Sequence, residues 1–505
     1  MVLPLPRARR RAATALAALA VAALTALPGP ATAGPPDTLV MGMVLEPPHL
    51  DPTAGAAAAI DEVVYANVFE GLTRIGPDGS VQPALAERWE ISDDGLTYTF
   101  HLRRDVTFHD GTAFTADDAV FSLQRALADD SVNAQKGLFA AIDSVAALDG
   151  YTLVVGLSRP EGRLLYNLGW GDAVMVGLES ADTNKTRPIG TGPFRFVRWV
   201  QGDRVELEAF PDFWGPAPAL SAATFRFIPD PAAALAAMLA GDVDAYANFP
   251  APEGLAILEE DARFAVVVGT TEGETILALN HRRPPLDDPR VRRAIGHAID
   301  RNTLIDGAMF GYGTPIGSHF APHHPAYVDL TDRSPHDPER ARALLAEAGI
   351  APGDLRLTLH LPPPSYARRS GELIAAQLGA VGVAVEIIPV EWAQWLDQAF
   401  RGHDFDMTIV AHTEPLDIDI YARDDYYFGY DNPAFDALMA TLQSTRDTAA
   451  RADLYRQAQT ILAEDAVNGF LFQLAKLGVW DARLSGLWRD SPVQANDLTG
   501  VSWQP

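Results

Sequence analysis

Apolar and polar residues alternate in two short segments of the first half of the chain. Tyr98, Phe100 and Leu102 occupy every second position after a turn at Asp93–Gly95, and the same period returns in Val205–Ala209. Side chains two residues apart project from one face of a strand, so an alternating run can bury one face and leave the other in solvent. The pattern predicts two strands in this half.

A different set of signals marks helices. Thr115–Asp118 has the form of a capping box, in which a hydroxyl and a carboxylate satisfy early backbone N–H groups. Asp288–Pro289 and Asp337–Pro338 each offer an N-cap followed by a proline at the first helical position. Apolar residues recur every four positions in Val291–Ile299, and Gly349 suits a left-handed helix end. These signals predict three helices.

The second half contains a strand, a helix and another strand in succession. Leu355–Leu361 alternates, Glu372–Leu378 has helical spacing, Gly382 interrupts it, and Val383–Ile388 has the pattern of a buried strand. Such a crossover joins parallel strands, and open α/β sheets bind ligands in crevices beyond their strand ends. We therefore predict an α/β protein with a mostly parallel sheet and a ligand crevice in this half.

Length, charge and cysteine content limit the classes of function. The chain has 505 residues, of which 48% are apolar. A chain of this length is too long for a single hydrophobic core, so two or three packed units are predicted. Its formal net charge of −27 repels phosphates and anionic lipid, so no nucleic-acid partner is expected. The absence of cysteine excludes disulfides, thiolate nucleophiles, cysteine-ligated zinc and a lipidated N-terminal cysteine.

Residues 1–33 have the pattern of a secretory signal peptide. Four arginines at positions 7, 9, 10 and 11 precede the uncharged stretch Ala12–Leu27, and Ala31–Ala33 has the small-x-small form that signal peptidase accepts. A membrane anchor is the alternative, but the stretch is shorter than the roughly 20 apolar residues that span a bilayer. We expect cleavage between Ala33 and Gly34, which takes the formal charge from −27 to −31, and export to the periplasm.

Several short motifs follow one another in a fixed order between about Leu39 and Leu487. They are Pro47–Pro52, Val68–Thr73, Pro83–Trp89, Leu102–Gly111, Gly190–Phe194, Ala240–Asp244, Asp288–Arg292 and Asp337–Pro338. In order and spacing they resemble the extracellular solute-binding proteins of family 5, the peptide, dipeptide and nickel binders. Each motif alone is common, whereas their joint order over the whole chain is specific.

The resemblance implies a two-lobed α/β fold of the periplasmic-binding-protein type II, similar to cluster C, with an inserted subdomain and a hinge between the lobes. After the signal peptide, lobe I would comprise 34–75, 186–285 and 481–505, the inserted subdomain 76–185, and lobe II 286–480. Ligand would lie between the lobes, which close around it.

The resemblance also implies a function and partners. The chain would be the periplasmic substrate-binding component of an ABC transporter that captures a small peptide or peptide-like solute and delivers it to the permease subunits in the inner membrane. We expect a monomer that is not an enzyme and needs no cofactor and no resident metal.

A peptide brings an ammonium and a carboxylate into a closed cleft, and each needs a partner once water is excluded. Relatives resembling this chain present an acid to the ammonium in a segment after a strand that begins Phe-Asp, here Phe405–Val410. The segment after this strand is acidic, as in those relatives, but it lacks the aromatic and tyrosine pattern that is usual in them. Its candidate residues are Glu414 and Asp417, with Asp419 weaker and His412 beside them, and a solvated acidic loop is the alternative.

Other candidates come from the same resemblance. Arg368 and Arg369 stand just before the helix predicted at Glu372, where dipeptide binders place an arginine for the ligand carboxylate, although an exposed pair is the commoner outcome. Trp392 and Tyr421 are candidates for side-chain pockets. Trp395, three residues after Trp392, is expected in the core instead.

Three competing functions remain open at the level of sequence. A secreted hydrolase would also use a cleft, but the chain has no Gly-x-Ser-x-Gly or His-Glu-x-x-His motif. Nickel or a metal chelate would suit His319, His323 and His324, which lie in a Pro- and Gly-rich loop that is more often a plain exposed loop. A receptor that signals to a membrane sensor without transport has the same sequence features.

Overall fold

The computed structural model describes residues 36–55, 57–445 and 447–505, and the expected leader and its cleavage position lie outside these residues. The strands are β1 (Thr38–Met43), β2 (Thr73–Ile75), β3 (Val81–Pro83), β4 (Ala86–Ile91), β5 (Thr97–Leu102), β6 (Ile142–Asp149), β7 (Thr152–Leu157), β8 (Phe194–Val200), β9 (Arg204–Ala209), β10 (Ala222–Phe227), β11 (Ala245–Tyr246), β12 (Phe264–Leu279), β13 (Thr314–Pro315), β14 (Leu355–Leu361), β15 (Val383–Pro389), β16 (Met407–His412), β17 (Gly469–Asp481), β18 (Leu484–Ser485) and β19 (Ser502–Trp503). The α-helices are α1 (Ala58–Val64), α2 (Ala116–Leu127), α3 (Leu164–Asn167), α4 (Pro231–Ala240), α5 (Leu255–Glu259), α6 (Pro289–Ala298), α7 (Arg301–Met309), α8 (Pro338–Glu347), α9 (Ser365–Ala380), α10 (Trp392–Trp395), α11 (Pro433–Ser444) and α12 (Thr448–Glu464).

The predicted strands and helix starts are present. Strands β5 and β9 bury alternate residues, as their sequence period requires. At the start of α2 the Thr115 backbone N–H donates to the Asp118 carboxylate (3.0 Å) in a capping box. Asp288 and Asp337 accept from first-turn N–H groups of α6 and α8, and Gly349 follows α8 with a φ of 82°. These signals depend on residues a few positions apart, and here the rest of the fold is consistent with them.

One eleven-stranded sheet runs through the molecule in the order β15-β14-β16-β12-β17-β11-β1-β10-β9-β8, with β13 pairing on β17. Parallel pairing is confined to β1 with β10 and β11, and to β14 with β15 and β16. The other pairs are antiparallel, so the prediction of a mostly parallel sheet is wrong. The sheet is mixed because β12 and β17 run antiparallel to each other between the two parallel groups.

The crossover β14-α9-β15 joins two parallel strands, as the sequence predicts. Helix α9 is longer than expected, because it begins at Ser365, directly after the run Pro362–Pro364, rather than near Glu372. Proline cannot continue the preceding strand ladder but fits just before a helix. Arg368 and Arg369 therefore lie in the first turns of α9 and not ahead of it.

The long strands β12 and β17, called here the crossing strands, belong to both halves of the sheet. One end of β17 pairs with β11, whereas the far end of β12 pairs with β16. Their register shifts twice: Thr271–Gly273 of β12 face the single residue Leu474 of β17, and Leu471 of β17 is an extra residue between the pairs of Thr275 and Ile276. An insertion of this kind bends and twists a strand pair. Glu272 lies in the first bulge, and Glu274 lies immediately after it.

Separate apolar cores lie on either side of the crossing strands. One core, around β1 and β10, joins N-terminal to C-terminal residues and includes Leu39, Met41, Phe69, Phe225, Trp480, Leu498, Val501 and Trp503. A second sheet, β4-β5-β7-β6, packs with α2 around Phe100 and Leu123. The cores beyond the crossing strands surround α6, α8 and α9 on one side and Tyr421, Tyr427 and Phe435 on the other. Among the described residues, no helix has the length and apolar character needed to cross a membrane.

Candidate ligand-binding site

The segment after β16 enters a short 3₁₀-helix, Asp417–Ala422, through an unusual backbone position. Leu416 has φ 57° and ψ 31°, in the left-handed region that a residue with a side chain rarely adopts. Arg163, which precedes α3, holds this turn from across the molecule: its guanidinium donates to the carbonyl oxygens of Pro415 and Leu416, each at 2.8 Å. The turn is thus fixed by a contact with a distant part of the chain.

Asp417 is buried between two histidines, and we call these three residues the His–Asp cluster. His319 Nε2 lies 2.7 Å from Asp417 Oδ1, and His412 Nδ1 lies 3.4 Å from Asp417 Oδ2. Burial disfavours a charged carboxylate, but the charge and hydrogen bond of His319 and the hydrogen bond of His412 outweigh it and hold the pKa of Asp417 well below its usual range. Asp417 is therefore a fully engaged anion.

The outer nitrogens of both imidazoles are also paired. The Tyr421 hydroxyl lies 3.3 Å from His319 Nδ1 and accepts from the Asn468 amide (3.2 Å), while the Tyr427 hydroxyl lies 3.1 Å from His412 Nε2. Each polar atom of the His–Asp cluster thus has a partner, which fixes ring orientation and register.

The crossing strands bring two more acids to this place. Glu274 lies opposite His412 and Gln473 in the antiparallel register, so the three side chains share one face of the sheet. Glu272 pairs with His323 Nε2 at 2.7 Å. Glu274 is only 4% exposed and its Oε2 has no hydrogen-bond partner; burial, then Glu272 and the other nearby acids, raise its pKa well above the ordinary value.

Glu414 lies between two contacts with residues that are distant in the chain. On one side the Gln494 amide donates to Thr413 Oγ1 (2.8 Å), and on the other Arg163 binds the carbonyls of Pro415 and Leu416. Glu414 itself is half-buried and, among the described residues, accepts only the neighbouring Thr413 backbone N–H, at 3.2 Å. Within the described residues no Lys, Arg or His nitrogen pairs with its carboxylate.

Two further carboxylates, Asp61 on α1 and Asp172 in a 3₁₀-turn at Gly171–Ala173, complete the acidic surroundings. Oδ1 of each is buried and lacks a hydrogen-bond partner. The pKa of Asp61 is raised well above its usual value by burial and by Asp172, and that of Asp172 is raised to about 7 by burial and by Glu414. Removing a carboxylate from water without a partner favours its neutral form.

The remaining predicted residues lie apart from the His–Asp cluster. Asp419 pairs with Arg423 at 3.0 Å near the surface. Arg368 lies 3.7 Å from Glu391, and Arg369 lies 3.4 Å from Glu253. These arginines are partly exposed and already have acidic partners.

Of the two aromatic residues predicted to line side-chain pockets, one contacts the His–Asp cluster and one lies apart from it. Tyr421 joins the His–Asp cluster, whereas Trp392 is 44% exposed and stacks on Trp395 at 5.1 Å. Trp395 is 4% exposed and donates from its ring nitrogen to Thr408, so its prediction as a core residue is confirmed.

The three histidines considered for a metal do not come together. Only His319 joins the His–Asp cluster, in which one ligand atom from each of its three residues lies within 4.8 Å of the others. His323 pairs with Glu272, and His324 packs against Phe320. Sequence spacing within the loop did not indicate that the second histidine would come from β16.

Sequence reasoning missed Arg163, Asp61, Asp172 and Glu274. Glu272 and Glu274 gave the only usable signal, as two acids in the otherwise apolar or neutral run of β12. Polar residues in a buried strand point to a function, since burial penalises them. The other residues meet only through tertiary contacts.

Known proteins share both sequence and fold with this chain. A model of the bacterial extracellular solute-binding proteins, family 5 Middle, matches residues 80–417. The dipeptide-binding protein of Escherichia coli (strain K12) is 30% identical over 431 residues, which cover 76% of this chain and 79% of that protein. The chain belongs to the family 5 extracellular solute-binding proteins.

Solved structures of other periplasmic binding proteins have the same two-lobed fold. A family 5 relative, the ABC transporter-associated binding protein DppA of Helicobacter pylori in complex with peptide STSA, has a TM-score of 0.83 and 25% identity, covering 93% of this chain and 99% of its own. NikZ of Campylobacter jejuni in complex with Ni(L-His) has a TM-score of 0.78 and 25% identity, covering 90% and 96%. The family resemblance and the fold class predicted from the sequence are confirmed.

Proposed function

We propose that this chain is the periplasmic substrate-binding component of an ABC importer and that it holds a small peptide or peptide-like solute between its lobes. The observation that carries the proposal is Glu414, a half-buried carboxylate that has no cationic partner among the described residues and lies between contacts to Gln494 and Arg163, which belong to the proposed lobe I and inserted subdomain. The peptide in the Helicobacter pylori structure and the name of the Escherichia coli relative support a peptide-like ligand.

Glu414 and Asp417 have different roles in this proposal. Both oxygens of Asp417 already face histidines, so a ligand ammonium would have to displace one of them. Glu414 is free to accept the ammonium, and Asp417 with His319 and His412 positions the segment that carries it. A salt bridge formed inside a closed site is screened less than one in water, which favours this placement.

The ligand carboxylate is assigned to Arg368. Its ion pair with Glu391 is long, at 3.7 Å, and involves an exposed acid that a ligand carboxylate can replace. Arg369 already bridges to Glu253 on the other side of the molecule and is assigned to closure.

The proposed boundaries follow the sequence analysis: a signal peptide at 1–33, lobe I from 34–75, 186–285 and 481–505, an inserted subdomain at 76–185, and lobe II at 286–480. The crossing strands then serve as the hinge. We propose that the protein works in the periplasm as a monomer, because one chain supplies both walls of the site, and that it delivers ligand to an inner-membrane permease without chemical turnover.

The direct test is a thermal-shift screen with di- to pentapeptides, followed by calorimetric titration of the best ligand. Bound ligand raises the melting temperature by linkage. Glu414→Gln should lower the affinity for that peptide by about 30-fold or more, since it leaves a buried ammonium unpaired. Asp419→Asn is the matched control and should bind as wild type does. Equal affinity of Glu414→Gln and wild type, or of the N-acetylated and free peptide, would refute the ammonium assignment.

Closure is tested by small-angle X-ray scattering. Contacts on two lobes can form together only in the closed state, so saturating peptide should increase its population and lower the radius of gyration. An unchanged radius with calorimetrically verified binding would indicate a rigid site.

A second candidate function, capture of a metal chelate, is favoured by the His–Asp cluster alone. Its three ligand atoms are close enough to surround one ion, and imidazole with carboxylate suits nickel. A metal would have to replace the bonds between Asp417 and the two histidines. Nickel(II) with L-histidine should then stabilise the wild type and not His319→Ala, whereas peptide binding without any nickel effect would remove this candidate.

A further inference from the structure

Three buried carboxylate oxygens near Glu414 have no hydrogen-bond partner within the part of the chain that the structure describes: Asp61 Oδ1, Asp172 Oδ1 and Glu274 Oε2. Asp172 is 8% exposed and Glu274 is 4% exposed. Buried carboxylates elsewhere are almost always paired, because an unpaired one loses its hydration without compensation. A group of such carboxylates in one region indicates that something binds them in another state of the protein.

Asp61 and Asp172 are held close together by packing. The Asp61 carboxylate lies against the backbone of Gly171, where a Cβ would approach its atoms to 2.3–2.6 Å, so a larger residue there would push the carboxylate aside. The Asn133 amide donates to the backbone carbonyl of Asp172 (2.8 Å) and fixes that turn without engaging its carboxylate. Asp61 on α1 and Asp172 in this turn are therefore neighbours in space.

The charged groups that face this pair are acids. The negative charges of Glu62 and Asp172 raise the pKa of Asp61, and that of Glu414 raises the pKa of Asp172. The lysine near Glu62, Lys476, donates instead to the carbonyl oxygen of Trp488 at 2.6 Å. No basic side chain among the described residues neutralises Asp61 or Asp172.

The pair lies close to the segment that carries Glu414. Arg163 and Asp172 flank α3 and the turn that follows it, and Arg163 binds the carbonyls directly after Glu414. Asp172 is thus near Glu414, and Asp61 lies beside Asp172.

We propose that Asp61 and Asp172 bind a second cationic nitrogen of the ligand, so that the receptor selects solutes with at least two positive charges. This inference rests on the proposed ligand site at Glu414 and adds a requirement to it. One ammonium pairs with Glu414, next to Glu274, and the other pairs with Asp61 and Asp172. A dication of this kind satisfies the carboxylates that the closed protein leaves without partners.

Binding of such a ligand should release protons. With a pKa of about 7, Asp172 is mostly protonated at pH 6 in the free protein. A bound cation lowers that pKa, and the carboxyl group loses its proton. Affinity for a dication should therefore rise between pH 5 and pH 8, and a singly charged probe should show a smaller rise.

The first experiment changes the probe and leaves the protein intact. Lysyl-alanine has one ammonium group more than norleucyl-alanine. In the same way, 1,5-diaminopentane has one ammonium group more than 1-aminopentane. Calorimetric titration should give the dicationic member of each pair an affinity about 30-fold higher. Titration at pH 6 in two buffers of different ionisation enthalpy should show proton release for the dication. Equal affinities within each pair would overturn the inference.

The second experiment changes the protein. Asp172→Asn should lose most of the preference for the dication and most of the proton release, and Asp61→Asn provides an independent variant if the first does not fold. Asp182→Asn, at an exposed acid in the same part of the chain, is the control and should keep both. Unchanged preference in both folded site variants would overturn the inference.

The outcomes separate this inference from the proposed function. Peptides that bind without preference for lysine refute the second cationic site and leave the peptide receptor standing. Diamines that bind where no peptide does refute the peptide assignment and support the dication site. If none of the four probes binds, the dication inference fails, and the thermal-shift screen decides the peptide proposal separately.

Discussion

Two groups of buried acids meet near the crossing strands, and they differ in how their oxygens are satisfied. Asp417 faces an imidazole at each oxygen, and those rings are held in turn by tyrosine hydroxyls. Asp61 and Asp172 each leave a buried oxygen without a partner. Burial alone therefore does not distinguish a structural acid from a binding one. The number of carboxylate oxygens with a hydrogen-bonding or charged partner does distinguish them. A buried carboxylate with partners stabilises the fold, whereas one without partners destabilises it until a ligand binds.

The largest expected effect comes from breaking the satisfied group. Asp417→Ala leaves two buried histidines without their common acceptor and should lower the free energy of unfolding by about 3–5 kcal/mol. Equilibrium unfolding in guanidinium chloride at pH 7 measures it. Asp419→Ala, which removes a surface pair with Arg423, should lower it by about 0–1 kcal/mol. Similar losses in the two variants would contradict the structural role of Asp417.

The next effect concerns the contact that brings the two groups together. Arg163→Ala removes two hydrogen bonds from a charged donor to the carbonyls of Pro415 and Leu416, which should disfavour the closed state by about 1.5–3 kcal/mol. Scattering of the ligand-free variant should give a larger radius of gyration than the wild type. Arg159→Ala, at an exposed arginine nearby, should leave the radius unchanged. If both variants scatter alike, Arg163 does not hold the lobes closed.

Removing an unsatisfied acid should stabilise the ligand-free protein. The folded-state pKa of Asp172, about 7, exceeds its ordinary value of 3.8, so the native state binds more protons between these values and loses stability as the pH rises through them. Asp172→Asn does not lose stability in this way. Its free energy of unfolding should exceed that of the wild type by about 1–3 kcal/mol at pH 8 and differ little from it at pH 4. Urea titrations at both pH values measure it. A variant less stable than wild type at pH 8 would show that Asp172 supports the fold.

The smallest effect is expected at the arginines of α9. Arg368→Ala removes a partly exposed pair with Glu391 and should change the free energy of unfolding by about 0–1 kcal/mol. Its effect on peptide affinity, measured by calorimetry, should be larger than its effect on stability. A loss of stability without a loss of affinity would show that Arg368 supports the fold and does not bind the ligand.

The elements that the sequence predicts well are those with local causes. The Asp-Pro starts of α6 and α8 and the alternation in β5 depend on residues a few positions apart, and all are present. The mixed sheet was missed because the antiparallel pairing of β12 with β17 joins residues far apart in the chain.

The candidate site also combines features that depend on nearby residues with features that depend on residues far apart in the chain. Family resemblance located the segment that carries Glu414 and Asp417, but its chemistry depends on distant side chains. His319 reaches Asp417 from a loop that sequence spacing alone grouped with other histidines. Asp61 and Asp172 come from different elements and carry no pattern that marks them as neighbours. Such contacts follow from tertiary packing, which no short-range period encodes.

The core that contains Leu39 and Met41 has a consequence for the order in which the chain can fold. Strand β1 lies next to β11, which pairs with β17, and Trp503 donates from its ring nitrogen to the carbonyl oxygen of Thr38 at 2.8 Å. Residues of β1 are thus covered by a residue that the ribosome adds more than 400 positions later. This core therefore cannot be completed during synthesis until Trp503 has left the ribosome.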